Sequence, residues 1–600
     1  MSEKFKFFWR VAIAAQKASR NFSNQGYKLA LLTWVILCFC SQTVLAKPST
    51  TTSFYLAQKP DPNEERFLQP QPPVSPLPEE EEDTPSQPPT PPQASPQTEN
   101  SETIAVKTVI VSGTSIFTED DLANIIQPLL NRNVTLQELQ EATDAITQRY
   151  LEQGYITSRA ILDQNNITPD GTVTIQVVEG SLEAIEIQGT ERLKESYIRN
   201  RVELGTGKPL NTGDLEDQLR LLRADPLLDN VEANLRTGSN ASQSILVVRV
   251  TEANPWSGGL SIDNYSPPSV GSERIVGNLS NANLTGNGDN LGVAFSHTTR
   301  SGADTLDFNY RLPVNPMNGT VQLRASFNRN EVVIDDFKAL GIRGESELYE
   351  ISYRQPLVRT PREELALSLG FSYQDGQTFT FAGPTPFGFG PNDEGITTTS
   401  VFKFGQDYLL RQPSGSWAFR SQFSIGTALF GATENSEPRV PDGQFLSWLG
   451  QIQRVQVINE NNFLIGSIDI QLAGDGLLSS QQFVIGGGQS VRGFRQNVRA
   501  GDSGVRFSLE DRITLERDEA GIPTFQFAPF LDLGWVWNSA QNSNPLPDQT
   551  FIMGVGAGIL WTPLPNFNIR LDYGVPLIDL EDRGENAQDN GFYFRAGYQF

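Results

Sequence analysis

The sequence predicts a transmembrane β-barrel of about 16 antiparallel strands, preceded by two small α+β (βααββ) domains. Three observations carry this. The last 345 residues alternate apolar and polar side chains with period two, in segments of about ten residues separated by Gly, Asn, Asp and Pro. The stretch before them carries the same β-α-α-β-β order twice, about 75 residues each time. The N-terminus has the form of an export signal, and no run of 18 apolar residues follows it.

Composition narrows the function. The 600 residues carry a formal charge of −24, which argues against a general nucleic-acid binder, because such a protein needs basic surface to displace phosphate counterions. The two cysteines, Cys38 and Cys40, both lie in the N-terminal apolar run, and His297 is the single histidine. Cysteine or histidine metal sites and a disulfide scaffold are therefore excluded downstream, and no cofactor or metal is expected.

Along the chain, Lys4, Lys6, Arg10, Lys17, Arg20 and Lys28 form a basic leader, followed by the apolar core Leu29–Phe39. Small residues at Val44 and Ala46 place cleavage after Ala46, so residues 1–46 read as a signal peptide. Residues 47–103 read as a flexible linker. Thirteen of the 38 prolines fall within 59–100, beside the acidic run Glu79–Asp83, and such a segment buries too little apolar area to offset its ordering entropy. Pro62–Gln69 has length for two helical turns.

Residues 104–180 form the first small domain. Val106–Val111 is a β-branched run, Thr118 an N-cap, Thr135–Gln153 an amphipathic helix ended by Gly154, and Tyr155–Leu162 and Val173–Val178 are expected strands. Residues 181–253 repeat the plan: strand Leu182–Ile187, helices Ser196–Glu203 and Asn211–Leu222, and strands Val231–Leu235 and Ser244–Val250.

From 254 to 600 the barrel strands are expected near 256–265, 274–283, 289–298, 303–313, 319–330, 346–357, 363–376, 397–410, 415–428, 444–458, 462–474, 505–516, 525–537, 552–563, 567–577 and 592–600. Val321, Leu323, Ala325 and Phe327 alternate with Gln322, Arg324 and Ser326; Phe527, Leu531, Leu533, Trp535 and Trp537 share one face. An even count closes the sheet and leaves no unpaired edge in lipid. Asp511 breaks the pattern by falling on the apolar face of its strand. The long connections near 377–396 and 429–443 are expected outside the cell.

The phrases YLEQGYITSRAIL (Tyr150–Leu162), GTVTIQVVEG (Gly171–Gly180) and IEIQGT (Ile185–Thr190) resemble the polypeptide-transport-associated (POTRA) domains of two-partner secretion transporters, the TpsB group of hemolysin activator/secretion proteins. Val491-Arg492-Gly493-Phe494, in the connection 475–504, matches the VRGF/Y motif of the superfamily to which this group and the BAM-type assembly factors belong. The resemblance implies that this loop folds into the lumen and that Arg492 pairs with the aspartate of an F-x-D-x-G strand, here Phe530, Asp532 and Gly534. Alternation puts those three residues inward independently, opposite the apolar set. An alternating last strand closed by an aromatic residue resembles the signal read by the outer-membrane assembly machinery, with Tyr598 and Phe600 as its carriers.

The function implied is export of a partner exoprotein across the outer membrane by a single pore embedded in lipid, with the POTRA domains in the periplasm. Tyr155, Ile156 and Thr157 are the candidate substrate-capture residues, where an unfolded segment would add a strand. In the family a helix ahead of the linker plugs the pore, and Pro62–Gln69 is the candidate here. A BAM-type assembly factor is the alternative, although such factors usually carry more POTRA units. A diffusion porin is a third reading, and it leaves the two small domains without a purpose. No enzyme activity is expected. Gly205-Thr206-Gly207-Lys208 is followed by Pro209 and not by Ser or Thr, so it makes no phosphate loop, and His297 reads as a strand-end residue.

Overall fold

A computed structural model describes residues 103–600, apart from Ala241, Phe387 and Pro438. The expected signal at 1–46, and the linker with its candidate helix Pro62–Gln69, lie outside the described residues.

The first small unit contains β1 (Thr103–Val106), β2 (Thr108–Ser112), α1 (Glu119–Ile126), β3 (Arg132–Thr135), α2 (Leu136–Glu152), β4 (Arg159–Ile167) and β5 (Thr172–Val178). Both helices begin with a reciprocal cap. Thr118 accepts from Asp121 N–H while the Asp121 carboxylate accepts from Thr118 N–H, and Thr135 and Glu138 repeat the arrangement. Leu122, Leu139, Ile146, Tyr150, Val173 and Ile175 are buried between the helices and the sheet β2-β5-β4. Burial pushes the Tyr150 hydroxyl above the usual tyrosine range. That hydroxyl donates to Glu179 Oε1 at 2.9 Å and lies 2.6 Å from Thr114 Oγ1.

Two expectations are corrected here. The strand expected from Tyr155 begins at Arg159; Tyr155, Ile156 and Thr157 lie in a turn. Gly154 takes a positive φ of 84°, and Tyr155 N–H closes back on Tyr150 C=O at 2.9 Å, so the helix end bends the chain before it extends. The run Val106–Val111 is two strands divided at Lys107, and the first pairs with β3, which the sequence did not reveal.

The second unit follows the same plan with β6 (Ser181–Gln188), α3 (Glu195–Glu203), α4 (Thr212–Arg223), β7 (Leu228–Thr237) and β8 (Gln243–Glu252), in sheet order β6-β8-β7. Its core is Ile198, Val202, Leu210, Leu222, Leu246 and Val248.

The barrel then runs through β9 (Trp256–Asp263), β10 (Arg274–Ala282), β11 (Asn290–Thr298), β12 (Ala303–Pro313), β13 (Thr320–Glu331), β14 (Arg343–Arg359), β15 (Glu363–Thr380), the short β16 (Gly383–Pro384), β17 (Ile396–Gln412), β18 (Gly415–Thr427), β19 (Leu446–Asn459) and β20 (Asn462–Ala473). A small hairpin, β21 (Phe483–Ile485) with β22 (Arg499–Gly501), lies inside the next connection. β23 (Ser503–Arg517), β24 (Pro523–Trp537), β25 (Phe551–Leu564), β26 (Phe567–Pro576) and β27 (Phe592–Gln599) complete the wall. All 16 spanning strands pair antiparallel, and β27 returns to β9, so the sheet is closed. Each expected strand is present, with ends shifted by a few residues.

Connections at one end are turns of two to seven residues, and those at the other run from four to 29. The short-turn end meets the second small unit. Lys194 N–H donates to Gly286 C=O (3.0 Å) and Lys194 Nζ to Asn287 Oδ1 (2.9 Å). Arg201 stacks on Tyr197 at 3.4 Å and reaches Asn318 Oδ1 at 3.3 Å. That end therefore faces the periplasm with the POTRA domains, and the long connections face outward.

Candidate functional site: a loop bound inside the barrel

The 29-residue connection between β20 and β23 enters the barrel. Val491, Phe494 and Ile485 pack with Val536, Ile552, Leu449 and Leu580 in one buried cluster, so apolar contact fixes the loop against the wall. Glycines make this approach possible. Gly493 takes a φ of 103° beside Pro576, and a Cβ on Gly574 would stand 2.6 Å from Gly493 N. A Cβ on Gly534 would meet Ile485 at 2.9 Å and Val491 at 3.1 Å, so the third position of the strand motif serves the packing of the loop.

Arg492 is held from several sides. Its Nε donates to Asp532 Oδ2 at 2.6 Å and its Nη2 to Asp532 Oδ1 at 3.0 Å, the forked geometry that suits guanidinium and carboxylate. Its backbone N–H also donates to Oδ2, and Ser508 Oγ donates to Oδ1. The guanidinium stacks on the Phe530 ring at 3.4 Å, which gives the first residue of that strand motif its contact. The Arg492 side chain is 5% exposed and that of Asp532 0%, so these charges meet out of water.

The pair sits in a wider network that the sequence did not reveal. Arg492 Nη1 donates to Glu510 at 2.7 Å and reaches Asp572 at 3.5 Å. Arg570 bridges Glu510 and Asp572, and Arg512 binds Glu510. Arg492, Arg512 and Arg570 thus face Glu510, Asp532 and Asp572, three charges of each sign. Alternation marks Glu510, Arg512, Arg570 and Asp572 as lumen-facing, but only the register of β23, β24 and β26 shows that they converge. The loop's polar backbone is held as well: Tyr593 Oη accepts from Gly493 N–H (2.9 Å) and donates to Phe494 C=O (2.6 Å).

The other candidates lie elsewhere. In the first small unit, Tyr155 packs edge-on against Tyr150, Thr157 abuts Gly180, and Ile156 is exposed. Tyr598 and Phe600 point outward at the end of the wall, where Phe600 N–H donates to Gly258 C=O. Asp511 faces out of β23 opposite Leu464.

His297 is more than an isolated strand end. Its Nδ1 lies 2.6 Å from Asp304 Oδ1 and its Nε2 3.5 Å from Ser301 Oγ, at the outward turn between β11 and β12. The nearby N–H groups of Gly302 and Ala303 both donate to Thr298 Oγ1, so they are not free to serve as an oxyanion-binding pair.

Comparison with known proteins gives a consistent picture. A family model described as haemolysin secretion/activation protein ShlB/FhaC/HecB matches residues 242–560. A POTRA domain of ShlB type matches 104–180, and the surface antigen variable number repeat POTRA model matches 181–253. The chain is 25% identical over 479 residues to an outer membrane transporter CdiB from Escherichia coli, covering 76% of each chain. It is 22% identical over 487 residues to a heme/hemopexin transporter protein HuxB from Haemophilus influenzae, covering 78% of this chain and 82% of that one. Among solved structures, CdiB from Escherichia coli superposes with a TM-score of 0.67 at 22% identity, over 85% of this chain and 93% of that one.

Proposed function

The chain belongs to the haemolysin secretion/activation family ShlB/FhaC/HecB, and from that premise we propose that its lumen loop is the movable stopper of an exoprotein export pore. The protein is an outer-membrane transporter that secretes a partner exoprotein. The finer reading divides the chain into POTRA domains at 104–180 and 181–253 and a barrel at 254–600, acting as a single pore in lipid. The first POTRA domain captures an unfolded segment beside Tyr155, Ile156 and Thr157. The loop carrying Val491, Arg492, Gly493 and Phe494 then leaves its seat on Phe530, Asp532 and Gly534, and a hairpin of exoprotein enters the lumen. Folding outside the cell makes the movement directional. Tyr598 and Phe600 are what the assembly machinery reads when it inserts the barrel.

The observation that carries this reading is the buried Arg492 fork, because a charge so fully matched inside a lumen is costly to arrange and holds the loop in one seat until that match is broken. The test compares secreted proteins from cells with the chain, without it, and with Arg492→Ala or Asp532→Ala. One large protein should vanish without the chain and be reduced in both variants, while the variant barrels remain in the outer membrane. Normal secretion by both variants removes the stopper role. Barrel misassembly across the outer membrane on depletion would instead point to an assembly factor.

A further inference from the structure

The sixteen strand pairs of the wall are unequal. β27 and β9 share five register pairs, from Arg595↔Asp263 to Gln599↔Gly259, whereas β14 and β15 share sixteen. β27–β9 has the fewest register pairs of any wall seam among the described residues, and Gly258 and Phe600 exchange two more backbone bonds beyond them at the periplasmic end.

Above Asp263 one backbone bond, from Asn264 N–H to Phe594 C=O at 3.3 Å, continues the ladder, and side chains reinforce it. Asn264 Nδ2 donates to Phe592 C=O at 2.9 Å and Asn264 Oδ1 accepts from Phe594 N–H at 2.9 Å, so one buried amide stands in for missing rungs. Gln588 Nε2 donates to the carbonyls of Asn264 and Ser266, which fixes the segment leaving β9.

The seam is also tied to the lumen loop, through β27 itself and through the segments that follow β9 and precede β27. Gln496 N–H donates to Gln588 Oε1 at 2.9 Å, and Tyr593, on β27 itself, grips Gly493 and Phe494 through its hydroxyl. Gly488 fits between Tyr265 and Tyr593, where a Cβ would stand 2.5 Å from one ring and 3.0 Å from the other. Asn264, Gln588 and Tyr593 are each 0% exposed, so water cannot replace these bonds while the loop is seated.

We infer that the loop is a clasp on the β9–β27 seam as well as a stopper of the lumen. Tyr593, Gln588 and Asn264 are its positioning residues. When the loop leaves, Tyr593 loses Gly493 and Phe494, Gln588 loses Gln496, and the upper part of the shortest seam loosens. This rests on the stopper reading above, and it adds that pore opening and wall opening are one coupled event.

Amide hydrogen exchange of the full chain in lipid nanodiscs tests it. Two variants are compared with the unaltered protein: Arg492→Ala, which frees the loop at the distant carboxylate, and Tyr593→Phe, which cuts the clasp at β27 and leaves the Arg492 fork intact. In both, β27 amides facing β9 should exchange about tenfold faster or more. The β18–β19 seam, which has eleven register pairs, should be unchanged. Unaltered exchange at β27 in either variant overturns the clasp, and so does an equal acceleration at β18–β19. Because the readout needs no cargo, it separates the two readings. Faster seam exchange with normal secretion keeps the clasp and removes the stopper, and the reverse keeps the stopper alone.

Discussion

Asp532→Asn removes one negative charge from a network that holds three of each sign, and changes almost nothing in size. The new amide retains one acceptor oxygen but turns an NH₂ toward a guanidinium that donated to both carboxylate oxygens at 2.6 and 3.0 Å. Breaking a buried ion pair costs about 3–5 kcal/mol. Arg492 keeps Glu510 at 2.7 Å and Asp572 at 3.5 Å, so the lower end, about 3 kcal/mol, applies. That is roughly a hundredfold shift toward the unseated loop. Single-channel recording in planar bilayers should show the open state gain by that factor, and heat-modifiable migration in gels should show the barrel still folded. Arg492→Ala leaves the network one charge negative, Asp532→Asn leaves it one charge positive, and the double variant is neutral again. The double variant should therefore unseat the loop less than the sum of the singles, by about 2 kcal/mol or more. Additivity within about 0.5 kcal/mol would refute the reasoning, because the two groups would then not be each other's main partner.

Gly574→Ala drives a methyl group into Gly493 N and should also raise pore opening, without the salt dependence of the charge variants, as conductance at two ionic strengths would show. Tyr150→Phe removes one donor from Glu179, which keeps Ser115 N–H and Oγ, and should destabilise the first POTRA domain by about 0.5–1.5 kcal/mol, read as faster amide exchange in residues 103–180. Burial raises the Tyr150 hydroxyl, so its neutral form stabilises the fold fully below the ordinary tyrosine value, about 10; that contribution falls as pH rises above it, and the midpoint of denaturant unfolding of the same segment should lose this contribution only there. In the outward connection between β26 and β27, the hydrogen bond from Arg499 holds Asp582 down at about 2. Its contribution is present above the ordinary aspartate value of about 3.9 and is lost as pH falls toward 2, so protease cleavage of that connection should be equal at pH 7 and pH 5.

The barrel was legible because lipid imposes one rule on every strand. An outward side chain is apolar almost everywhere, Asp511 being an exception, and Leu323, Phe527 or Trp535 reports its direction without knowledge of its neighbours. The Arg492 and Asp532 contact was legible because parity and motif named the same residues. Glu510, Arg512, Arg570 and Asp572 were not, since their meeting depends on how three strands slide past each other, and the lumen holds many other charges. Tyr155-Ile156-Thr157 misled because its side chains favour strands, while the path is set by Gly154 and the carbonyl of Tyr150. The three-residue set at His297 escaped notice because a four-residue turn assembles it.

The strands also differ in length, and this shapes the exit. β14, β15 and β17 run for 17, 18 and 17 residues, while β9 and β27 have eight each. At about 3.3 Å per residue and a tilt near 40°, the long strands rise about 43 Å and the short ones about 20 Å, against an apolar band of about 25 Å. The turns at the periplasmic rim are short all round, so the surplus height stands above the outer leaflet on one side. The mouth is therefore walled by a tall half-collar of β14, β15 and β17 on that side and by the low rim of β9 and β27 on the other.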